Sequence, residues 1–308
     1  MNKTALTVEN LTKVYSENKK KDTRALNSLS FEVKQGEIFG LLGPNGAGKT
    51  TFLSILGGTV VKTEGKVNVW GFDLDRNPRQ VRASIGIVPQ EENLDAFFSP
   101  KKLLDLQAGL YGVKKKDRIT DTILKMVSLE DKANAYSRSL SGGMKRRLLI
   151  AKAMVHQPPI LVLDEPTAGV DVELRKNLWK NVKELNKIGV TIILTTHYLF
   201  EAQEMCDRIA IINKGNLVAL DTTQKLIDRI QTKKVIFHVE EINFNEKLIL
   251  DGIEFTINSK NMITAVYEKS SNKFEDILSL FRKKQFKILD VATEDGNLED
   301  IFVQLTNN

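Results

Sequence analysis

The sequence predicts an α/β fold followed by a small second domain. Three observations carry this prediction. Strand patterns alternate with helical ones up to about residue 222, one strand runs into a glycine-rich loop that opens a helix, and the pattern changes after residue 222. Such alternation is typical of parallel strands with helices on the faces of the sheet. A chain of 308 residues has room for one large domain and one small one.

The elements before residue 91 are mostly strands. Strand patterns cover the segments ALTVENLTKVY, LSFEV, IFGLL, VNVW and IGIV. After IFGLL, the glycine-rich loop leads into a helix that begins at Thr50 and ends near Leu56. From about residue 91 to residue 148 the hydrophobic spacing is helical. Within it, Ser99 and Pro100 form a good N-cap and first-turn pair ahead of Leu103, Leu104 and Leu106. We therefore expect a helical subdomain over about 91–148.

Strands and helices alternate again from Pro159 onward. The strands ILVLD, VTIILTT, RIAIIN and LVAL are separated by helical segments and turns. After about residue 222, short strand patterns surround one helical pattern, NKFEDILSLFRKK. We expect a large domain over residues 1–222 and a small α+β domain over residues 223–308.

Charge and composition do not decide the function. The net charge is +6 and is scattered, apart from the lysine triplets at 19–21 and 114–116, which we interpret as solvated loops. This pattern does not favour a nucleic-acid partner, which would need a concentrated basic surface. The single cysteine, Cys206, cannot form an intramolecular disulfide and fits a reducing compartment.

Hydropathy predicts neither a membrane span nor a signal peptide. No apolar run approaches the roughly 18 residues that a spanning helix needs. Residues 1–4 are not followed by an apolar stretch of the kind that a signal peptide contains. The sequence therefore predicts no membrane-spanning segment.

The glycine-rich loop matches the phosphate-binding pattern G-x-x-x-x-G-K-[ST] in full. Gly46 and Gly48 allow the backbone to curl so that consecutive N–H groups converge on phosphate oxygens. Lys49 places a cation between the β- and γ-phosphates, and the Thr50 hydroxyl is suited to ligate Mg²⁺. The sequence therefore predicts a P-loop that binds ATP or GTP. The predicted cradle consists of Gly43, Pro44, Asn45, Gly46, Ala47, Gly48, Lys49, Thr50 and Thr51.

Two adjacent carboxylates end the apolar strand ILVLDEP. Successive strand residues point in opposite directions, so Asp164 and Glu165 can serve different roles. We expect Asp164 to orient the Mg²⁺ shell and Glu165 to act as general base on the attacking water. An acidic pair at a strand end is often only solvated surface. The cradle, in the right strand order, favours the catalytic interpretation.

Two further polar residues follow apolar strands. His197 comes after VTIILTT and could hydrogen-bond the γ-phosphate and stabilise charge in the transfer step. Gln90 follows IGIVP and could ligate Mg²⁺ or the attacking water. For His197 the alternative is simply a polar end to a buried strand.

A second phosphate-binding pattern lies at LSGGMKRRL, residues 140–148. Ser141, Gly142 and Gly143 precede a basic amphipathic helix, and glycines at a helix N-terminus expose backbone N–H groups to an anion. One chain thus carries two candidate phosphate binders.

Taken in order, these motifs resemble those of the ATP-binding subunit of ABC transporters over the first 220 residues. The resemblance implies that Tyr15 stacks on adenine, although it could be an ordinary strand aromatic. It implies catalytic roles for Lys49, Asp164, Glu165 and His197. The remaining implied roles are metal ligation by Thr50, Gln90 and Asp164, and communication between sites by Asp171, which precedes Val172 where many relatives have proline.

Within this family, the pattern LSGG closes on the ATP that a second copy holds. The resemblance therefore implies a head-to-tail homodimer with ATP and Mg²⁺ at its interface. It implies a P-loop ATPase fold with a mixed sheet and a helical subdomain. Together with the Gln90 loop, that subdomain would form the groove for a cytoplasmic helix of an integral membrane permease, which is a separate polypeptide. The resemblance therefore implies that this chain lies at the cytoplasmic face of the inner (plasma) membrane.

The chain is most similar to the type-2 group, which exports drugs and polymers, and in particular to the YadG-like ATPases. The segments that carry this similarity are SGGMKRRL, EPTAGVD, LTTHYLFEAQEMCDRIAIINKG and NLEDIFVQLT. The alternatives are the ATPase subunit of an ABC importer and a soluble ABC ATPase without a membrane partner. A ribosome-acting ATPase would have two cradles in tandem, and this chain has one.

Overall fold

The structure is a computed structural model. It describes residues 3–16, 22–91, 93–168, 170, 172–230, 232–240, 248–250, 253–259, 261–268, 274–283, 287–294 and 297–306. The lysine triplet at 19–21 and Asp171 lie outside these residues. The chain divides into two compact units, residues 1–222 and 223–308.

The first unit contains ten strands and seven α-helices among its described residues. The strands are β1 (Thr4–Tyr15), β2 (Thr23–Lys34), β3 (Ile38–Leu42), β4 (Glu64–Val69), β5 (Phe72–Asp73), β6 (Ile85–Val88), β7 (Ile160–Asp164), β8 (Thr191–Thr196), β9 (Arg208–Asn213) and β10 (Asn216–Thr222). The helices are α1 (Lys49–Gly57), α2 (Pro78–Ala83), α3 (Pro100–Leu110), α4 (Thr120–Met126), α5 (Gly142–Met154), α6 (Val172–Lys187) and α7 (Leu199–Met205).

A six-stranded sheet, in the order β10-β9-β3-β8-β7-β6, organises the site. Strands β9, β3, β8, β7 and β6 run parallel, and β10 pairs antiparallel with β9. The short apolar runs of β3 and β8 are buried along their whole length, as expected for strands covered on both faces. This mixed sheet confirms the predicted α/β fold class, and its carboxyl edge carries the polar residues of the site.

A four-stranded antiparallel sheet, β2-β1-β4-β5, packs beside the cradle helix α1. Phe31 of β2 stacks on Phe39 of β3 at 5.6 Å between ring centroids and lies 5.5 Å from Phe52 of α1. These aromatic contacts fill the core between the two sheets. Helix α1 and the loop before it are thereby held against β2.

The first helix of this segment, α3, begins at Pro100, as the Ser99–Pro100 pair predicted. Ser99 caps the helix, and its hydroxyl accepts the Lys102 N–H. Helices α3 and α4 are short. Three 3₁₀ turns connect them to α5, at Lys115–Asp117, Glu130–Lys132 and Ser137–Ser139. The second lysine triplet, at 114–116, lies at the first of these turns and is exposed.

The second unit is an antiparallel sheet with helices. Its sheet has the order β12-β13-β14-β11-β15, and its core places Phe281 4.3 Å from Phe237 between ring centroids. The patterns did not predict β12 and α8. The elements are α8 (Thr223–Asp228), β11 (Thr232–Val239), β12 (Leu248–Leu250), β13 (Ile253–Ser259), β14 (Met262–Glu268), α9 (Phe274–Lys283), β15 (Ile288–Glu294) and α10 (Leu298–Thr306). Among all described residues, none of the helices is long and apolar enough to cross a bilayer.

Candidate nucleotide-binding and catalytic site

The glycine-rich loop joins the end of β3 to the start of α1. Gly46 and Gly48 have φ angles of 79° and 109°, values that a residue with a Cβ rarely adopts. A Cβ on Gly48 would lie 2.5 Å from the Ala25 carbonyl oxygen, and one on Gly43 would clash with the Ile212 carbonyl. At Gly43 and Gly48 there is therefore room for backbone only. The loop presents the unpaired N–H groups at the N-terminus of α1.

Lys49 is the buried cation of this loop. Its Nζ donates to the carbonyl oxygens of Gly43 at 2.6 Å and Pro44 at 3.2 Å. Burial lowers the pKa of Lys49, and the negative charges of Glu165 and Asp164 oppose that shift. Asn45, Gly46 and Thr50 are exposed, Pro44 and Thr51 are half-buried, and Ala47 is buried.

Asp164 ends β7 directly beside Thr195 of β8. The two residues are paired in the parallel register, and the Thr195 hydroxyl donates to Asp164 Oδ1 at 2.6 Å. Because this bond occupies one oxygen, the second oxygen of Asp164 remains to meet a ligand. Strand register alone thus fixes the carboxylate at the edge of the sheet.

Glu165 has an unusual backbone. Its φ of 45° lies in the left-handed region, which costs a residue with a side chain of the order of 1–3 kcal/mol. The Glu165 N–H is held by Thr195, whose carbonyl oxygen and Oγ1 lie at 3.0 and 3.1 Å. This backbone turns the chain sharply after Asp164, so the two neighbouring carboxylates project differently.

Three predicted site residues meet at one oxygen. Glu165 Oε2 accepts from the Gln90 amide at 3.2 Å and lies 3.0 Å from His197 Nδ1. The Glu165 side chain is 12% exposed, whereas that of His197 is 48% exposed. Gln90 follows β6, Glu165 follows β7 and His197 follows β8, so parallel strand ends bring them together.

Ser141, Gly142 and Gly143 stand at the start of a different helix. Ser141 is the N-cap of α5, and its hydroxyl accepts the Met144 N–H at 3.3 Å. Ser141 and Gly142 are exposed. Gly143 is buried, and a Cβ there would lie 2.6 Å from Leu174 Cδ2. This segment therefore offers its helix terminus outward.

Tyr15 ends β1 at the side of the loop. It pairs with Thr23 of β2, two residues before the Ala25 carbonyl that touches Gly48. The ring is 38% exposed, and Lys13 Nζ lies 4.7 Å from its centroid. Tyr15 thus ends its strand with a partly exposed ring, and its role in base stacking stays a prediction.

Thr195 and Arg146 were not predicted as site residues from the sequence. Thr195 is one of three threonines in β8, and nothing in the strand pattern distinguishes it from Thr191 and Thr196. Arg146 donates to carbonyl groups around the site, yet in the sequence it is one of several basic residues on α5. Nothing in its spacing distinguishes it from its neighbour Arg147.

These features define a class: a P-loop nucleotide hydrolase that carries a second phosphate-binding segment on a separate helix. The family model described as ABC transporter matches residues 26–168. The Nod factor export ATP-binding protein I of Rhizobium etli is 35% identical over 98% of this chain and 93% of its own length. The linearmycin resistance ATP-binding protein LnrL of Bacillus subtilis is 32% identical over 98% of both chains.

Solved structures agree with this class. One, of an ATP-binding subunit of an ABC transporter, is 27% identical with a TM-score of 0.64, covering 73% of this chain and 92% of its own. Another is the ATP-binding cassette MJ0796, a dimer in a post-hydrolysis state with ADP and Pi. It is 28% identical with a TM-score of 0.62, covering 71% and 98%.

This chain belongs to the ATP-binding proteins of ABC transporters. It is an ATP-binding ATPase of the exporter type, as the relatives named above indicate.

Proposed function

We propose that this chain hydrolyses ATP as a homodimer in order to drive a separate membrane permease, with export as its direction. The convergence of Gln90, Glu165 and His197 beside the phosphate loop is the observation that carries the proposal. One relative is named for Nod factor export and one for linearmycin resistance. They support a role in an exporter rather than in an importer.

In this proposal, the loop from Gly43 to Thr51 cradles the phosphates. Its backbone N–H groups and Lys49 bind their oxygens, since Lys49 Nζ already lies among the loop carbonyls. Tyr15 stacks on the adenine ring. The buried position of Lys49 strengthens its attraction to phosphate charge, because water screens it poorly.

The residues present fit a Mg²⁺ ion. Thr50 offers a hydroxyl, Asp164 a free carboxylate oxygen, and Gln90 an amide oxygen, since its Nε2 donates to Glu165. Proteins usually hold Mg²⁺ with only one or two carboxylates, and phosphate and water oxygens complete its coordination. The ion supplies charge neutralisation at the phosphates. The described residues contain no cluster of three His, Cys, Asp or Glu that could hold a metal, so the donor set is this mixed one.

Hydrolysis then uses Glu165 as the general base. Glu165 orients a water molecule for in-line attack on the γ-phosphorus and accepts its proton as ADP and phosphate form. His197, within 3.0 Å of that carboxylate, hydrogen-bonds the γ-phosphate and fixes the orientation of Glu165.

Ser141, Gly142 and Gly143 complete the site of the second copy. Their exposed helix terminus binds the γ-phosphate that the partner's loop holds, so that ATP joins the two subunits. Hydrolysis removes that shared phosphate and opens the dimer. This explains why one chain carries two phosphate binders.

A groove beside the Gln90 loop is the proposed binding site for the permease. A cavity of about 340 Å³ is lined by Ile87, Pro89, Gln107, Tyr111 and Lys152, among others. Tyr111 stacks on His156 at 3.7 Å between ring centroids, which ties the end of α3 to the residues after α5. His156 Nε2 in turn lies 3.2 Å from the Ile85 carbonyl oxygen of β6. A cytoplasmic helix of the permease in this groove would lie directly against the residues preceding Gln90. The chain would then sit at the cytoplasmic face of the inner membrane.

Site-directed cross-linking tests the membrane part of the proposal. In a Cys206→Ala background, Gln107→Cys places a thiol in the groove, and Ile188→Cys places an exposed control thiol beyond α6. Membranes of the producing cells are treated with a bismaleimide and the adducts are identified. We expect Gln107→Cys, and not Ile188→Cys, to capture a polytopic membrane protein. Equal capture by both variants, or capture of soluble proteins alone, would remove the permease from the proposal.

A further inference from the structure

Arg146 is buried at the junction of three parts of the site. It lies on α5, one turn after the Ser141–Gly143 segment, and is 2% exposed. Its guanidinium reaches the loop after β6 and the chain after β7. An arginine at this depth is costly to bury unless its N–H groups are satisfied.

All five N–H groups of the guanidinium are accounted for by carbonyl oxygens. Nη1 donates to Pro89 at 2.9 Å and Gln90 at 2.8 Å. Nη2 donates to Glu165 at 2.7 Å and, at 3.4 Å, to Asp164. Nε donates to Pro166 at 2.8 Å. One planar group therefore joins the backbone of the Gln90 loop to the backbone on both sides of Glu165.

Arg146 contacts Glu165, the residue with the strained backbone. The left-handed backbone of Glu165 is fixed at its N–H by Thr195 and at its carbonyl by Arg146 and the Ala168 N–H. Strain of this kind persists only where surrounding contacts determine it. Without Arg146, the Glu165 carbonyl keeps only the bond from the Ala168 N–H, and the Glu165 carboxylate is held less firmly beside Gln90 and His197.

We propose that Arg146 is a positioning residue for hydrolysis, acting through the backbones of Glu165 and Gln90. This rests on the proposed roles of those two residues. Because Arg146 is carried by the helix whose N-terminus meets the partner's ATP, it also links occupancy of that terminus to the orientation of the base. Arg146 touches neither nucleotide nor metal in this proposal, so its loss should impair kcat more than ATP affinity.

Arg147 provides a matched control. It is the next residue on α5, and its Nη1 also donates to two backbone carbonyls, those of Val127 and Ser128, both at 2.8 Å. These carbonyls follow α4 and lie in the helical segment rather than at the sheet edge. Arg146 is buried and Arg147 is half-buried. Loss of either arginine removes a cation and its carbonyl contacts, but only Arg146 reaches Glu165.

The experiment compares Arg146→Met, Arg146→Lys and Arg147→Met in the full-length protein. Steady-state ATP hydrolysis gives kcat and KM, ATP titration gives the dissociation constant, and hydrogen exchange follows the peptide around Glu165. For Arg146→Met we expect kcat to fall at least tenfold with KM and ATP affinity within about threefold, and faster exchange around Glu165. Arg146→Lys should recover little of kcat, because an ammonium has three donors and cannot span both segments.

Arg147→Met should keep kcat within about twofold of the wild type and leave exchange around Glu165 unchanged. The proposal is overturned if both methionine variants lose the same fraction of kcat, or if Arg146→Met or Arg146→Lys loses activity only through weaker ATP binding. Glu165→Gln, measured alongside, distinguishes a failure of the proposed function from a failure of this inference. A normal kcat in Glu165→Gln would overturn the proposed function itself, whereas an inactive Glu165→Gln with a normal Arg146→Met overturns this inference alone.

Discussion

Glu165 Oε2 lies 3.0 Å from His197 Nδ1, although 31 residues separate the two in sequence and they follow different strands. The parallel pairing of β7 with β8 brings them together, and Gln90 joins the same oxygen from β6. A carboxylate held from both sides in this way is oriented before any substrate arrives. Such pre-orientation is how an active site lowers the cost of reaching the reactive geometry.

Replacing Glu165 by glutamine should abolish turnover and leave nucleotide binding intact. The amide cannot accept the proton of the attacking water, so kcat should fall by about 10²–10⁴. The measurement is phosphate release against ATP concentration, with ATP affinity determined in parallel. Glu184→Gln, at an exposed position on α6, is the control and should retain wild-type kcat.

Replacing Lys49 by methionine should remove ATP binding without destabilising the nucleotide-free protein. Burial lowers the pKa of Lys49, which means that the folded state resists its charge and that methionine relieves a cost. We expect Tm without ATP to be unchanged or to rise by about 2 °C. The increase in Tm that ATP causes in the wild type should disappear.

A clear fall in Tm for Lys49→Met without ATP would mean that the Gly43 and Pro44 carbonyl contacts outweigh the burial cost. Retention of the ATP-dependent shift would contradict the role of Lys49 in phosphate binding. Lys187→Ala, at an exposed position on α6, serves as the control for loss of a lysine.

Removing the hydroxyl of Ser141 should reduce both stability and activity. Ser141 caps α5 and Ser99 caps α3 by the same contact to an N–H three residues on. Ser141→Ala and Ser99→Ala should each cost about 1 kcal/mol of unfolding free energy. Only Ser141→Ala should also lower ATPase activity, by about tenfold, because in the proposed dimer Ser141, and not Ser99, binds the partner's nucleotide. Chemical denaturation and ATPase assays on both variants decide this, and equal activity in both would count against the composite site.

The buried carboxyl of Glu201 predicts a pH effect on stability. Burial raises the pKa of Glu201, against contributions from the Thr167 hydroxyl and the Arg175 guanidinium that lower it. A raised pKa means that the folded state binds the proton more tightly than the unfolded state. The contribution of Glu201 to stability is therefore full below about pH 4.5 and is lost as pH rises through the folded pKa.

In Glu201→Gln that pH dependence should disappear. As pH rises from 4.5 to 7, the unfolding free energy of the wild type should fall relative to that of Glu201→Gln. Urea denaturation at several pH values measures it. A difference that stays constant with pH would show that Glu201 titrates normally.

Local patterns predicted the parts of the site that depend on one strand or one loop. The pattern from Gly43 to Thr51 predicts both the turn and the helix that follows. The turn needs positive φ angles at Gly46 and Gly48, which glycine adopts without strain. Strand ends identified Gln90, Asp164 and His197 as candidates. Their meeting at Glu165 follows from the order of strands in the sheet, which periodicity does not specify.

What could not be predicted depends on long-range contacts. Arg146 and Arg147 are equivalent in sequence, and only packing decides that one reaches Glu165 while the other reaches Val127. The strained φ of Glu165 is likewise fixed by Thr195 and Arg146 rather than by its own residue type.

The central claim is that ATP joins two copies of this chain through Ser141, Gly142 and Gly143. Light scattering of purified Glu165→Gln protein, with and without MgATP, tests it most directly. We expect a particle of about twice the 34.7 kDa chain mass with ATP, a monomer without it, and a smaller dimer fraction at the same ATP concentration when Ser141→Ala is added. A monomer at saturating MgATP, or a dimer that forms equally well without nucleotide, would contradict it.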